Sequence, residues 1–144
     1  MKFNKLIPEL NVSNFEKSLK FYTKVLGFRL EYQREKPKFA FLSFEGSQIM
    51  IEELNERNYT TGKLEYPFGR GTHLQIQVNK INSILKSIKA NKYPIFVKLH
   101  NKWYKKDNKL LGNKQFLVKD PDGYLLRFYE DLGTKSLESS SLSS

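Results

Sequence analysis

The chain contains no cysteine. Disulfides and thiolate metal sites are therefore excluded. No window approaches the roughly 18 consecutive apolar residues that a membrane helix needs. The opening stretch MKFNKLIPEL lacks the apolar run of a signal peptide. Together these absences point to a cytoplasmic protein. A glycine-rich phosphate loop of the P-loop or dinucleotide type is missing. No serine sits in a nucleophile elbow. There is also no block of five or six like charges, although the formal net charge is +10. The lysines are spread along the whole chain, as on a solvated surface rather than a nucleic-acid interface. The densest spot, KWYKK (102–106), offers aromatics that can stack on bases, or a short strand with its lysines in water.

What is present is enough apolar material for one folded domain. Hydrophobic residues make up 39% and aromatics 14% of 144 residues, which excludes a disordered chain. LIPELNV (6–12) reads as a strand. SNFEKSLKFYTKVLGF follows as a helix, with Ser13 as N-cap and Glu16 completing a capping box. Phe15, Leu19, Tyr22 and Leu26 recur at helical spacing, and Gly27 is the C-cap. Three apolar-rich runs come next: FRLEYQ, KFAFLSF and SQIMIEEL. NERNYTTGKLEYPFGRG, with three glycines and a proline, has no period and is a connector. Then the order repeats. THLQIQV is a strand, and NKINSILKSIKANKY is a helix with Ile81, Ile84, Leu85 and Ile88 as its stripe. PIFVKLH, KWYKK, KQFLVKD and GYLLRFYED supply the following strands, with DPDG as a turn. The chain thus reads as two βαβββ modules, residues 4–54 and 71–131, joined by a connector at 55–70. They form a single domain over 1–133. The remainder, 134–144, is a low-complexity tail outside the core.

Three landmarks carry a resemblance over about residues 4–133: ELNVSNFEKSLKFYTKVLGF, GRGTHLQIQV and DPDGYLLRFYE. They resemble the vicinal oxygen chelate superfamily, which includes glyoxalase I, extradiol dioxygenases, fosfomycin-resistance enzymes and bleomycin-resistance proteins. The closing pattern is most similar to the bleomycin-resistance-like branch. The resemblance implies an α+β fold whose modules form a curled mixed sheet around a cavity, with helices on the outer face. It also implies a homodimer with ligand grooves at or near the subunit contact. The enzymes of that superfamily hold one divalent metal with four side chains, one from each of four strands. Here the corresponding positions are Ile7, Glu52, His73 and Arg127. Isoleucine cannot ligate, and a guanidinium is cationic with no lone pair to offer. The resemblance thus implies a metal-free, cofactor-free and non-catalytic binder that sequesters a small molecule such as a bleomycin-type antibiotic. The alternative is a metal-dependent glyoxalase-like lyase, thiol transferase or dioxygenase.

Strand alternation gives an independent view of the same positions, because residues two apart share a face. One face carries Ile7, Glu9 and Asn11; Gln48, Met50 and Glu52; His73, Gln75 and Gln77; and Leu125, Arg127 and Tyr129. The other carries Pro8, Leu10, Val12, Ile49, Ile51, Leu74, Ile76, Val78, Leu126 and Phe128. The first face suits a wet cavity wall and the second a core under helices. Arg127 either pairs with Glu9 or Glu52 across the cavity or meets a ligand, since an unpaired buried charge is costly. His73 is a hydrogen-bonded wall residue or a general base. Gln75 lines the pocket or meets a partner subunit. Trp103 and Tyr104 stack on a flat ligand, or pack in the sheet. Tyr66, Phe68 and Arg70 of YPFGRG grip a ligand at the cavity mouth, or merely order the connector. A cationic ligand conflicts with the +10 charge at long range. Glu9, Glu52, Glu53 and Glu65 offset it locally, whereas an anionic ligand would suit Arg127 and Arg70.

Overall fold

The computed structural model describes residues 1–137. Strand β1 (Glu9–Val12) leads into helix α1 (Phe15–Lys20), then β2 (Arg29–Glu35), β3 (Lys38–Phe44) and β4 (Ser47–Glu53). After the connector the order returns as β5 (His73–Gln77), α2 (Ile81–Ala90), β6 (Val97–Lys106), β7 (Lys109–Lys119) and β8 (Leu125–Ser136). The expected α+β fold of two βαβββ modules holds. Each module keeps its own four-stranded mixed sheet, ordered β1-β4-β3-β2 and β5-β8-β7-β6, and neither closes into a barrel. In both sheets the first strand runs parallel to the last, and the remaining pairs are antiparallel.

Some boundaries differ from expectation. PIFVKLH and KWYKK are not two strands: Val97–Lys106 is one strand, irregular between Val97 and His100, where its register against β7 shifts. The tail does not begin at 134. Strand β8 runs to Ser136, which pairs with Lys109. The serine-rich remainder of the tail, from 138 on, lies outside the described residues.

The alternation sorts as expected. Val12, Ile51, Leu126 and Phe128 are fully buried, with Leu10, Ile49, Ile76 and Val78 nearly so. They form one cluster with the apolar stripes of both helices. Burial of this kind is the main stabilising term, at roughly 1.5–3 kcal/mol for each large side chain. Helix α1 is capped differently from expectation. Asn14, not Ser13, is the N-cap, and its Oδ1 accepts from the Lys17 N–H at 3.0 Å. At the other end the helix widens into a π-type turn, Phe21–Val25. Gly27 at φ +92° then reverses the chain, so that the Phe28 N–H reaches the Tyr22 carbonyl at 2.8 Å. A side chain could not adopt that angle without strain.

Each helix start also receives a carboxylate from the last strand of its own module. Glu53 Oε2 accepts from the Phe15 N–H at 2.9 Å, and Glu130 Oε1 from the Ile81 N–H at 3.0 Å. Negative charge there satisfies an orphan N–H and complements the helix dipole. The matched pair is a repeat that the sequences of the two modules barely show.

The DPDG turn fastens the modules together. Asp122 accepts from both the N–H and the hydroxyl of Ser13. Tyr22 donates to Asp120 Oδ2 at 2.8 Å, and Tyr124 donates to the Asn11 carbonyl at 2.9 Å. Ser13 is thus held by a residue 109 positions away, which is why it does not cap its own helix. Burial pushes the Asp120 carboxyl up to about 6, against the pull of its bonds from Tyr22 and from the backbone N–H groups of Tyr124 and Asp122. The native state therefore binds more protons than the unfolded chain between an ordinary 3.8 and about 6. Its contribution to stability is complete below that window and is lost as pH rises through it. Urea denaturation of the natural protein and of Asp120→Asn checks this. The stability of the natural protein relative to the variant is expected to fall by up to about 3 kcal/mol from pH 4 to 7. A difference that stays flat with pH would show that Asp120 titrates normally.

Candidate ligand-binding site

The polar faces of the two sheets carry separate clefts. The larger, about 780 Å³, lies on the first sheet. Tyr32 and Phe39 lie in its floor: Tyr32 stacks on the buried Phe41 behind it at 5.3 Å between centroids, and the Arg34 guanidinium sits 4.3 Å over the Phe39 ring. Strand pairing explains this, since Tyr32 lies opposite Phe41, and Arg34 opposite Phe39, on the face shared by Met50 and Glu52. Glu9 and Glu52 add charge to one wall. Burial first, then the Glu52 carboxylate, hold the Glu9 carboxyl above its ordinary value, and Arg34 pulls it partly back. Glu52 itself is gripped by the connector, through Asn58 Nδ2 at 2.5 Å and Asn55 Nδ2 at 3.4 Å. This aromatic floor was missed from sequence, although Tyr32 with Arg34 and Phe39 with Phe41 fall on one face by period two.

The second sheet has a cleft of about 330 Å³, centred on Arg127. Arg127 does not pair with Glu9 or Glu52. Its Nη2 donates to Gln75 Oε1, and its Nη1 to the Tyr104 hydroxyl at 3.2 Å. Gln115 Nε2 meets the same hydroxyl at 2.8 Å and faces His100 Nε2 at 3.2 Å. His100 is thereby tied to the same cluster. One polar line runs from His100 on β6 through β7 and β8 to Gln75 on β5. The Arg127 Nε is buried and finds no acceptor among the described residues. Leaving such a donor unpaired costs about 1–3 kcal/mol or more, a local cost that the two bonds of the guanidinium's terminal nitrogens partly offset.

His73 and Gln75 also line a third pocket, about 330 Å³, at the seam with Pro8 and Gln48 of the first module. Other expected residues lie elsewhere. Neighbours in a strand face opposite ways, so Trp103 cannot join Tyr104 at the Arg127 cleft. It lies flat on Gly112 on the other face, with the Lys135 ammonium 3.9 Å from its ring. A Cβ at position 112 would come within 2.5 Å of that ring. The YPFGRG loop does not reach either cleft. Phe68 is buried edge-on against Tyr124. The Arg70 guanidinium is turned back onto the Tyr66 carbonyl at 2.8 Å, and Tyr66 faces a pocket on the outer side.

The internal symmetry also corrects one of the four positions tied to metal binding. Glu9 pairs with Met50 in the first sheet, and Gln75 with Arg127 in the second. Glu9 and Gln75 each lie six residues before the helix start that Glu53 or Glu130 caps, and Met50 and Arg127 each lie three before that glutamate. Ile7 therefore corresponds to His73, and Arg127 corresponds to Met50 rather than Glu52. The set Ile7, Met50, His73 and Arg127 contains one good ligand, a thioether, an alkyl group and a permanent cation. Such a set does not fit a divalent ion, which needs three or four oxygen or nitrogen donors. Among the described residues no three His, Asp or Glu side chains gather where they could share an ion.

A paired βαβββ fold with ligand-sized clefts on its polar faces defines the class. The chain belongs to the Glyoxalase/Bleomycin resistance protein/Dioxygenase superfamily, whose family model matches residues 6–128. Among relatives, it is 29% identical to a lactoylglutathione lyase of Haemophilus influenzae, over 88% of this chain and 92% of that one. It is 31% identical to a probable lactoylglutathione lyase of Vibrio parahaemolyticus, over 85% of this chain and 86% of that one. Among solved structures, TioX from Micromonospora sp. ML1 shares the fold with a TM-score of 0.67 at 22% identity, covering 90% of this chain and all of that one.

Proposed function

We propose that this protein binds a small molecule without transforming it and acts by sequestration, as an antibiotic-binding member of its superfamily. Arg127 carries the reading. It stands where a metal-dependent relative would offer a carboxylate, it is held in place by Gln75 and Tyr104, and it brings a fixed positive charge to the wall of the second cleft. Both clefts are open, and each is walled by one module, the larger with help from the connector. A homodimer that sets the polar faces of two copies together would enclose the ligand, as small-molecule sites usually require. The aromatic floor under Arg34 supplies stacking. Glu9, Glu35, Glu52 and Glu56 outnumber the cations around the larger cleft, which offsets the net charge of +10 for a cationic antibiotic.

The relatives named lactoylglutathione lyase favour a second reading, an enzyme of that kind. Metal content separates the two. Protein purified without chelator is expected to carry far less than one divalent ion per chain and to show no lactoylglutathione lyase activity. Calorimetry with metal-free bleomycin is expected to show saturable binding, weakened in Arg127→Ala by roughly tenfold or more as one buried hydrogen-bonding group is lost. Stoichiometric metal together with lyase turnover would overturn the binding reading.

A further inference from the structure

A pocket of about 450 Å³ lies away from both polar faces, where four segments converge: α1, the connector, the α2–β6 loop and the DPDG turn. This volume is within the range of about 300–1,000 Å³ typical of small-molecule sites. Its walls include Tyr93, Phe96 and Tyr66, and the latter two are more than half exposed. Two exposed aromatic rings beside one concavity give a ligand apolar surface to cover. Tyr93 is fixed, because its hydroxyl donates to the Lys119 carbonyl at 2.6 Å. Phe96 is held by its N–H on the Leu117 carbonyl at 2.9 Å.

Charge decides what such walls would take. Lys119 Nζ hangs between the rings, 5.0 Å from Phe96 and 5.7 Å from Tyr66, and Lys17 joins it in the lining. Neither ammonium has a carboxylate partner among the described residues. The acidic group in the lining, Asp120, is almost fully buried, and both its oxygens already accept protein hydrogen bonds. A cationic ligand would meet two like charges and no free carboxylate. An anionic head deep in the pocket would meet Asp120. A flat ring inside with its anion outside, at the lysines, satisfies every group.

We propose that this outer pocket is a second binding site, for a small aromatic carboxylate or sulfonate. The ring would lie between Tyr93 and Phe96, displacing the Lys119 ammonium from between its two rings and pairing it with the ligand's anion. The proposal is independent of what the polar faces bind.

The test is amide NMR of the full chain titrated with 2-naphthoate. Saturable shifts are expected at the amides of Tyr93, Ile95, Phe96, Lys119, Asp120 and Asp122, whatever the probe does at the polar faces. Phe96→Ser and Lys119→Gln are each expected to weaken binding by roughly tenfold. The amine analogue 2-naphthylmethylamine should bind at least that much more weakly than the acid. Shifts confined to the polar faces, no saturation at millimolar ligand, or equal binding of acid and amine would each overturn the proposal. Neither substitution touches a core residue, so unfolding of both variants would overturn it too, by showing that Phe96 and Lys119 serve the fold.

Discussion

Replacing Gly123 by alanine is expected to destabilise the protein by about 3 kcal/mol or more. Two costs coincide there. The backbone sits at φ +95°, where a side chain is strained by about 1–3 kcal/mol. The new Cβ would also lie 2.5 Å from Pro67 Cβ and 2.6 Å from Pro67 Cα. Backbone cannot swing aside as a flexible side chain can, and forced overpacking adds about 1–3 kcal/mol. Relief would require the connector to lift. The connector is pinned at that point by the Phe68 N–H, which donates to the Asp122 carbonyl at 2.8 Å. Equilibrium urea denaturation at neutral pH measures the effect. Gly46→Ala is the matched control, since it has a similar φ of +91° but no atom within 4 Å of its Cβ. A loss at Gly123 no larger than at Gly46 would show that the contact with Pro67 is unimportant.

The second large effect concerns the metal positions. A variant carrying Ile7→His, Met50→Glu and Arg127→Glu, with His73 unchanged, would present two imidazoles and two carboxylates at the symmetry-related positions. It is expected to bind zinc or nickel in roughly the micromolar range or tighter, whereas the natural chain shows no saturable binding. The companion variant with Met50 left in place decides which residue is the fourth position. If Glu52 were that residue, both variants would bind alike. With Met50 as the fourth position, the companion lacks a ligand. It should then bind more weakly by at least the roughly 10- to 100-fold that loss of a mere supporting residue costs. Calorimetry and metal analysis after desalting read both.

Much of the fold was legible because burial leaves a period-two signature on strands and a 3.6-residue signature on helices. Leu10 and Val12, Ile49 and Ile51, and Leu126 and Phe128 announced the core face, and all are buried. Turning Arg127 toward the polar face followed from the same alternation. What escaped was set by contacts distant in the chain. Ser13 looked like a helix cap because Glu16 follows it, yet Asp122 captures it across the joint between modules. Glu52 and Glu53 are adjacent and chemically identical; one faces the cleft and the other caps α1. No local pattern distinguishes them, and only the matching cap at Glu130 reveals the offset. Trp103 and Tyr104 look like a stacking pair by adjacency, but neighbouring strand residues cannot share a face. The larger cleft was readable in principle from the alternation of Tyr32, Arg34, Phe39 and Phe41. No motif marks a stacking floor, so only the alternation points to it.

The fastening of DPDG to the first module bears on the order in which the chain can mature. Ser13, Tyr22 and Asn11 find their partners 109, 98 and 113 residues downstream. Contacts of such long sequence separation close late, because the loop between them must first be ordered. A ribosome delivers the first module well before Asp120, Asp122 and Tyr124 exist. Until the eighth strand emerges, the nascent first module holds its helix entry without those four bonds, with its apolar face lacking the opposing half of the core. The turn that launches the eighth strand is thus the one that seals the first module.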